Sequence, residues 1–231
     1  MTQQTETLLD AALVHVPFDG WSEAARKAAA ADCGIDLATA RAAFPRGGVD
    51  LALAYHRRGD AAMAARLAAQ DLSHLRFRDR IATAVRYRLE AAEDRELVRR
   101  GTTLFALPPY AADGARAIWG TADLIWSALG DTSTDYNWYT KRASLAGVYS
   151  ATVLFWLGDE TPGAQATWSF LDRRIDGVMQ FERIKGALEK NALARAVFAG
   201  PRALLSCLKA PARNAQTDLP GYLHPKAPQQ G

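Results

Sequence analysis

The chain has 231 residues with 28 Lys and Arg against 25 Asp and Glu, a formal net charge of +3; 49% of it is hydrophobic and 23% charged. This composition excludes a disordered chain, and 10 Pro with 17 Gly exclude a collagen-like one, leaving one compact domain or one domain with a small appendage. Two cysteines, Cys33 and Cys207, and four histidines provide neither a disulfide framework nor paired metal-ligand spacing, and a sum so near zero argues against a coat for nucleic acid.

The polar start from Met1 to Asp10 has no basic region followed by an apolar run, so no signal peptide is expected. Apolar residues then recur at three- and four-residue spacing among many alanines, which predicts an all-α protein. A first helix is predicted from Gln4 to His15, stopping near Pro17 and Gly20. Ser22 stands as the N-cap of an Ala-rich helix to Ala31, with Gly34 as its stop, and Asp36 caps a short helix from Leu37 to about Phe44. Pro45, Gly47 and Gly48 end it, and Asp50 leads into a helix through about Gln70.

From Asp71 to Arg100, Leu75, Ile81, Val85 and Leu89 form one apolar stripe, with arginines and acids on the wet faces. Pro108 and Pro109 break the chain before a helix from Ala112 to Leu129, and a turn at 130–133 opens a long helix to Leu157. The weakly charged stretch from Ala143 to Gly158 falls short of the ~20 apolar residues of a membrane span and reads as a buried helix. A further helix is expected from Ala164 through Asn191, and the tail from Pro211 lacks apolar periodicity and is expected to be mobile.

Catalytic signatures are missing from the sequence: no phosphate-cradling Gly-rich loop, no GxSxG, no HExxH and no Glu-x-x-His pair. His15 is expected to pack or cap at a helix end, and His56, beside Arg57 and Arg58, on a wet face. A non-enzymatic protein without cofactor or metal is therefore expected.

Residues Ser22 to Phe44 read as helix, turn, helix, resembling the DNA-binding headpiece of TetR-type regulators. Yet Arg26, Lys27, Arg41 and Arg46 face Glu23, Asp32 and Asp36 between Ser22 and Gly48, a net of only +1, and the second helix offers one Thr and one Arg to bases and phosphates. A helix-turn-helix kept as scaffold is the better reading.

The segment Gly130 to Arg142 holds three candidate N-caps, Ser133, Thr134 and Asp135, then three aromatics within four residues and Lys141-Arg142. On a helix Trp138, Arg142, Leu145, Tyr149, Thr152 and Trp156 share one stripe, with Tyr139 beside it. Two readings fit: a core stripe whose Arg142 pairs with Asp123 or Asp131, or an apolar ligand tunnel with Arg142 near its mouth, holding a lipid phosphate.

The run from Ser133 to Arg142, with Leu145 to Tyr149 after it, resembles the Coq-nine family, lipid-binding accessory proteins of ubiquinone biosynthesis. The likeness extends to Val16 through Trp21, to Phe44-Pro45 with Gly47 to Leu51, and to Phe170 through Ile175. The resemblance implies a TetR-like fold without DNA binding and a hydrophobic pocket for isoprenoid quinone intermediates or phospholipid. It also implies a partnership with the demethoxyubiquinone hydroxylase, with Arg142 at a phospholipid head group and Asp135, Trp138 and Tyr139 on the partner surface. Which side Trp138 takes stays open. Candidate pocket residues beside Arg142 are Leu104, Trp119, Ile125, Trp126, Phe155 and Trp156.

Between Arg183 and Arg213 seven cations meet one acid, a net of +6. If residues 192–209 are helical, Leu193, Val197, Leu204 and Leu208 lie on one face with Phe198 and Leu205 beside it, and Arg195, Arg202 and Lys209 recur on another. That is the pattern of a helix in an anionic membrane interface; a helix closing the core or a dimer contact is the alternative, and Pro201 splits the segment if it starts a second helix.

The expected organisation is a helix-turn-helix-like headpiece over 1–48, a helical lipid-binding bundle over 49–191, an amphipathic membrane-facing helix over 192–210 and a mobile tail over 211–231. The expected protein is cytoplasmic and peripheral on the inner membrane, binds no nucleic acid, and has a homodimer left open. A ligand-responsive transcription regulator is the rival.

Overall fold

A computed structural model describes residues 2–190 and Ala210, and the side chains of residues 2–180 and Ala210. Among the described residues the secondary structure is nine α-helices and two short 3-10 turns, with no strand.

Three short helices form the headpiece: α1 (Gln3–Asp19), α2 (Glu23–Asp32) and α3 (Leu37–Ala43). The caps expected for α2 and α3 are in place, Ser22 Oγ accepting from Ala25 N at 3.2 Å and Asp36 Oδ1 from Thr39 N at 2.9 Å. Helix α1 runs past its expected end at His15 and takes in Pro17. A proline this close to the C-terminus costs one N–H bond without disturbing a further turn, and the chain stops at Gly20, whose φ of +67° suits glycine and whose N–H reaches Val16 O at 2.8 Å.

Helix α4 (Gly48–Ala68) starts two residues before the expected Asp50, whose carboxylate accepts from Arg46 N at 2.8 Å and so fixes the entry turn. The stretch read as one stripe is divided between α5 (Phe77–Glu90) and α6 (Arg95–Ala106), because Asp94 caps a new helix through Glu96 N at 2.8 Å. A 3-10 turn at Pro108–Tyr110 precedes α7 (Ala111–Ala128). Of the three candidate caps before α8 (Tyr136–Leu157), Asp135 does the capping, accepting from Asn137 N at 3.0 Å. The last described helix is α9 (Gln165–Lys190).

Two apolar clusters hold these helices. One gathers Leu8, Leu9, Val16, Trp21, Phe44 and Leu51 around the headpiece, each worth ~1.5–3 kcal/mol on burial. The other gathers Met63, Ile81, Val85, Ile125, Tyr149 and Leu171. Helix α4 supplies residues to both, and Leu97 of α6 joins the first, where Trp21 Nε1 donates to its carbonyl at 3.0 Å. The headpiece is thereby tied to the helices that enclose the main cavity.

No described helix is long and apolar enough to cross a membrane. The residues expected at a membrane, Arg195, Val197, Phe198, Arg202, Leu204, Leu205, Leu208 and Lys209, lie outside the described residues, as does the tail from Pro211. Ala210 is described, and its N–H donates to Thr134 O at 2.9 Å, beside the turn between α7 and α8.

Candidate functional site

Helices α4, α6, α7 and α8, with Trp21 and the end of α5, enclose a cavity of about 510 Å³. Its walls are small or apolar side chains: Ala52, Leu97, Gly101, Phe105, Ala117, Ile118 and Val153 among them. Volume and character are those of a site for a small apolar molecule or one end of a longer one. Close packing of α6 on α7 closes one side, where a Cβ on Gly114 would lie 2.7 Å from Phe105 Cβ.

One end of the cavity is polar. Arg88, 6% exposed, donates from Nε to Asp60 Oδ1 at 2.6 Å and from Nη2 to His56 O at 3.0 Å and His56 Nδ1 at 3.2 Å. Because Nδ1 accepts from the guanidinium, the imidazole proton sits on Nε2, which donates to Thr121 Oγ1 at 2.8 Å; that hydroxyl in turn donates to Asp60 Oδ1 at 2.9 Å. Burial holds the His56 pKa at about 4, so the ring is neutral near pH 7. The expectation of a wet His56 is thus corrected: its side chain is 17% exposed and turned inward, because Arg88 and Asp60 supply the partners that make burial of a polar ring affordable. Gly59 makes room for the network, since a Cβ there would stand 2.5 Å from Arg88 Nη1. Tyr149 completes the polar end; burial pushes its hydroxyl above the usual tyrosine range, outweighing the pull of Arg88, and keeps it an O–H.

A second cavity of about 500 Å³ lies between α5, α7, α8 and α9, walled by Phe77, Ile81, Trp126, Leu145, Val148 and Met179, with Asp131, Ser133 and Lys141 at its edge.

The stripe on α8 faces the core: Arg142, Leu145, Tyr149, Thr152 and Trp156 are all at most 7% exposed. Arg142 donates to Asp123 Oδ1 at 2.5 Å, Asp131 Oδ2 at 2.9 Å and Trp138 O at 3.2 Å, with its guanidinium 4.1 Å from the centre of the Trp138 ring. Both acids paired with it in the core reading are engaged at once, and Arg142 lines neither cavity. Burial opposes ionisation of Asp131, but hydrogen bonds from Lys141, Arg142 and Ser133 hold its pKa at about 2.

The other residues expected in a pocket are scattered. Trp126 lines the second cavity, and Ile125 is fully buried in the core. Trp156 is core, under the Arg95 guanidinium at 4.8 Å, whereas Phe155 is 38% exposed and stacked on Phe170. Leu104 packs against the headpiece cluster. Trp119 meets Trp138 at 5.9 Å and Tyr139 at 6.4 Å, in one half-buried aromatic cluster on the α7–α8 side, near the exposed Asp135. None of the pocket residues named from the sequence lines the main cavity, and among the lining residues missed are Tyr55, His56, Arg88 and Ile118; the available signal was His56 with Asp60 one turn on and a glycine between them inside a helix.

In the headpiece, Arg26 is buried and donates to Phe44 O at 2.5 Å, Arg41 pairs with Glu23 at 3.5 Å, and Arg46 pairs with Asp50 and Asp113 at 2.9 and 3.0 Å.

Comparison with known proteins gives a consistent result. The COQ9 family model matches residues 111–182. The mitochondrial ubiquinone biosynthesis protein COQ9 of Drosophila melanogaster is 31% identical over 187 residues, covering 79% of this chain and 57% of that protein. Its counterpart in Rattus norvegicus is 32% identical over 74% of this chain and 57% of its own length, and that of Homo sapiens 30% identical over 77% and 58%. The chain thus spans under three fifths of the length of these curated relatives. A TetR transcriptional regulator from Nitrosomonas europaea superposes with a TM-score of 0.61 at 20% identity, over 76% of this chain and 97% of that one. The fold is TetR-like, and the segment 111–182, which carries α7, α8 and most of α9, is similar to the COQ9 family.

Proposed function

We propose that this protein is a non-enzymatic lipid carrier of ubiquinone biosynthesis, which takes the apolar part of a polyprenylated quinone precursor into the cavity between α4, α6, α7 and α8 and presents it to the demethoxyubiquinone hydroxylase. The observation that carries the reading is the cavity of about 510 Å³ with apolar walls. An isoprenoid tail leaves a bilayer only if an equivalent apolar surface replaces the lipid, at ~25 cal/mol for each Å² kept from water. The second cavity, with Trp126, offers a further apolar volume for a phospholipid chain.

The aromatic cluster of Trp119, Trp138 and Tyr139, with Asp135 exposed nearby, is the surface offered to the hydroxylase. Segment 192–210 is the membrane-facing element by its sequence pattern, and the headpiece over 1–48 is a scaffold. The names of the relatives support the pathway. Mass spectrometry of lipids extracted from the purified full chain tests the carrier role: recovered polyprenylated quinones or phospholipid support it, and a chain free of lipid refutes it.

A transcription regulator shares the fold. Against it stands the engagement of Arg26, Arg41 and Arg46 within the protein, which leaves the headpiece little positive charge to offer phosphates. Sequence-selective shifts of genomic fragments at low salt would reverse the ranking.

A further inference from the structure

From Ala143 to Gly158 the sequence holds no Asp, Glu, Lys or Arg, a run that reads as buried all round, yet one side of it lies open. Opposite the core stripe of Arg142 to Trp156, Ala143, Gly147, Ala151 and Leu154 recur at steps of four, four and three and so share a second stripe of α8, with Phe155 at its edge. Ala143 and Gly147 are exposed, Ala151 is half-buried, and Leu154 and Phe155 are 60% and 38% exposed. A Cβ on Gly147 would meet nothing within 4 Å, so the surface is open as well as uncharged. Helices α5 and α6, by contrast, meet water with ion-paired charge, Arg76 with Asp79, Arg86 with Glu90 and Arg99 with Glu96.

Helix α9 borders this face with cations. A groove of about 390 Å³ is lined by Ser144, Gly147 and Ala151 of α8 and by Arg173, Arg174 and Gly177 of α9. Both arginines are exposed, and neither has an acidic partner among the described residues; Asp172 and Asp176, their neighbours on α9, pair instead with Arg78 of α5. The Arg174 guanidinium lies 4.8 Å from the centre of the Phe170 ring, which stacks on Phe155. At the other edge Leu154 both meets solvent and walls the main cavity, so the open face runs up to that cavity.

We infer that this face of α8, edged by Arg173 and Arg174, is where the folded body lies on an anionic bilayer, with the main cavity turned toward the lipid at Leu154. The docking stands on α8 and α9 alone, while its use for lipid passage rests on the carrier reading. Charge decides the occupant. Two unpaired guanidiniums beside an uncharged surface complement a layer of phosphates above acyl chains, with Leu154 and Phe155 placed to enter the apolar level. An isologous second copy would bring two more arginines to a face that lacks acids. Two cations near anionic lipid shift partitioning about thirtyfold, enough to orient the body while segment 192–210 supplies the larger share of the hold.

The test uses the full chain with Cys33→Ser and Cys207→Ser, carrying the environment-sensitive dye NBD on one new thiol. Leu154→Cys places it on the proposed face, and Val14→Cys on the headpiece, where the native side chain is 67% exposed. With vesicles of phosphatidylcholine and phosphatidylglycerol, emission at position 154 is expected to rise about three- to fivefold and that at position 14 to stay within about 1.5-fold. Arg173→Glu with Arg174→Glu is expected to raise the vesicle concentration for half-response at position 154 at least about tenfold, whereas Arg173→Lys with Arg174→Lys, which keeps the charges, stays within about threefold. Circular dichroism of both pairs checks that the helices are kept. No association with these vesicles, flotation with a silent dye at 154, equal responses at the two positions, or indifference to the glutamates overturns the proposal. A rise at 154 with protein concentration in the absence of vesicles gives the face to a second copy and overturns it as well. Docking in this orientation by a chain that yields no lipid on extraction upholds the face and refutes the carrier reading alone.

Discussion

Changing Asp131 to Asn tests the charge network that ties α7 to α8. Asp131 Oδ1 accepts from Lys141 Nζ at 2.8 Å and from Ser133 Oγ at 2.8 Å, and Oδ2 from Arg142 Nη1 at 2.9 Å, with 3% of its side chain exposed. Holding its pKa at about 2 instead of 3.8 corresponds to at most about 2.4 kcal/mol of folding free energy. Screening through Lys141, which is 37% exposed, reduces this to roughly 1–2 kcal/mol. The sign follows from the depressed folded pKa: the stabilisation is complete above the unfolded value of 3.8 and is lost as pH falls through about 2. Asp131→Asn is therefore expected to lose ~1–2 kcal/mol in urea unfolding at pH 7 and to approach the parent chain toward pH 2, where about half of the parent's carboxyl is protonated and most of the stabilisation is gone. Arg142 keeps Asp123 in the variant, so collapse of the fold is not expected. A loss of the same size at pH 7 and pH 2, or no loss at pH 7, refutes the assignment of the stabilisation to the ionised carboxylate.

Three other outcomes follow from the geometry. Gly59→Ala gains ~1 kcal/mol of helix propensity but places a Cβ 2.5 Å from Arg88 Nη1, so urea unfolding should show a net loss of ~1–2 kcal/mol, and a stabilised variant would contradict the close approach. Val153→Trp adds an indole at the cavity wall and should reduce diphenylhexatriene binding more than tenfold with little change in melting temperature; undiminished binding places the apolar site elsewhere. Replacing Arg195, Arg202 and Lys209 together by Glu should abolish flotation with anionic liposomes, at ~1 kcal/mol for each cation near the surface, and equal flotation removes segment 192–210 from the membrane reading.

The local elements were legible because their causes are local. Ser22, Asp36 and Asp135 cap helices as their spacing predicted, and the α8 stripe from Arg142 to Trp156 is buried as its period predicted. What a period cannot say is which neighbour a face meets. The α8 residues that line the main cavity are Tyr149, Ser150, Val153 and Leu154, whereas Phe155 and Trp156 turn to an outer stack and to the core. His56 looked wet because Arg57 and Arg58 flank it; its partners Arg88 and Thr121 lie 32 and 65 residues away and are joined only by folding. Arg88 itself sat in a run of arginines and acids whose other members are exposed or half-buried, and nothing in that run marks the one that Asp60 draws inside.

Helices α7 and α8 carry both the aromatic cluster and walls of the main cavity, and the separation of the two depends on helical register. Ile118 lines the cavity while Trp119, the next residue, meets Trp138 and Tyr139, because successive residues on a helix diverge by about 100°. On α8, Trp138 and Tyr149 are eleven positions apart, about 17 Å along one rod. A rotation of α7 against α8 by one residue would swing Trp119 toward the cavity and break up the cluster. Arg142 opposes such a slip, since it bonds at once to Asp123 on α7 and to Asp131 in the turn between the helices. A guanidinium fixed from two directions sets register in a way that interchangeable apolar contacts do not. Arg142 thereby holds the register on which both the aromatic cluster and the cavity walls depend.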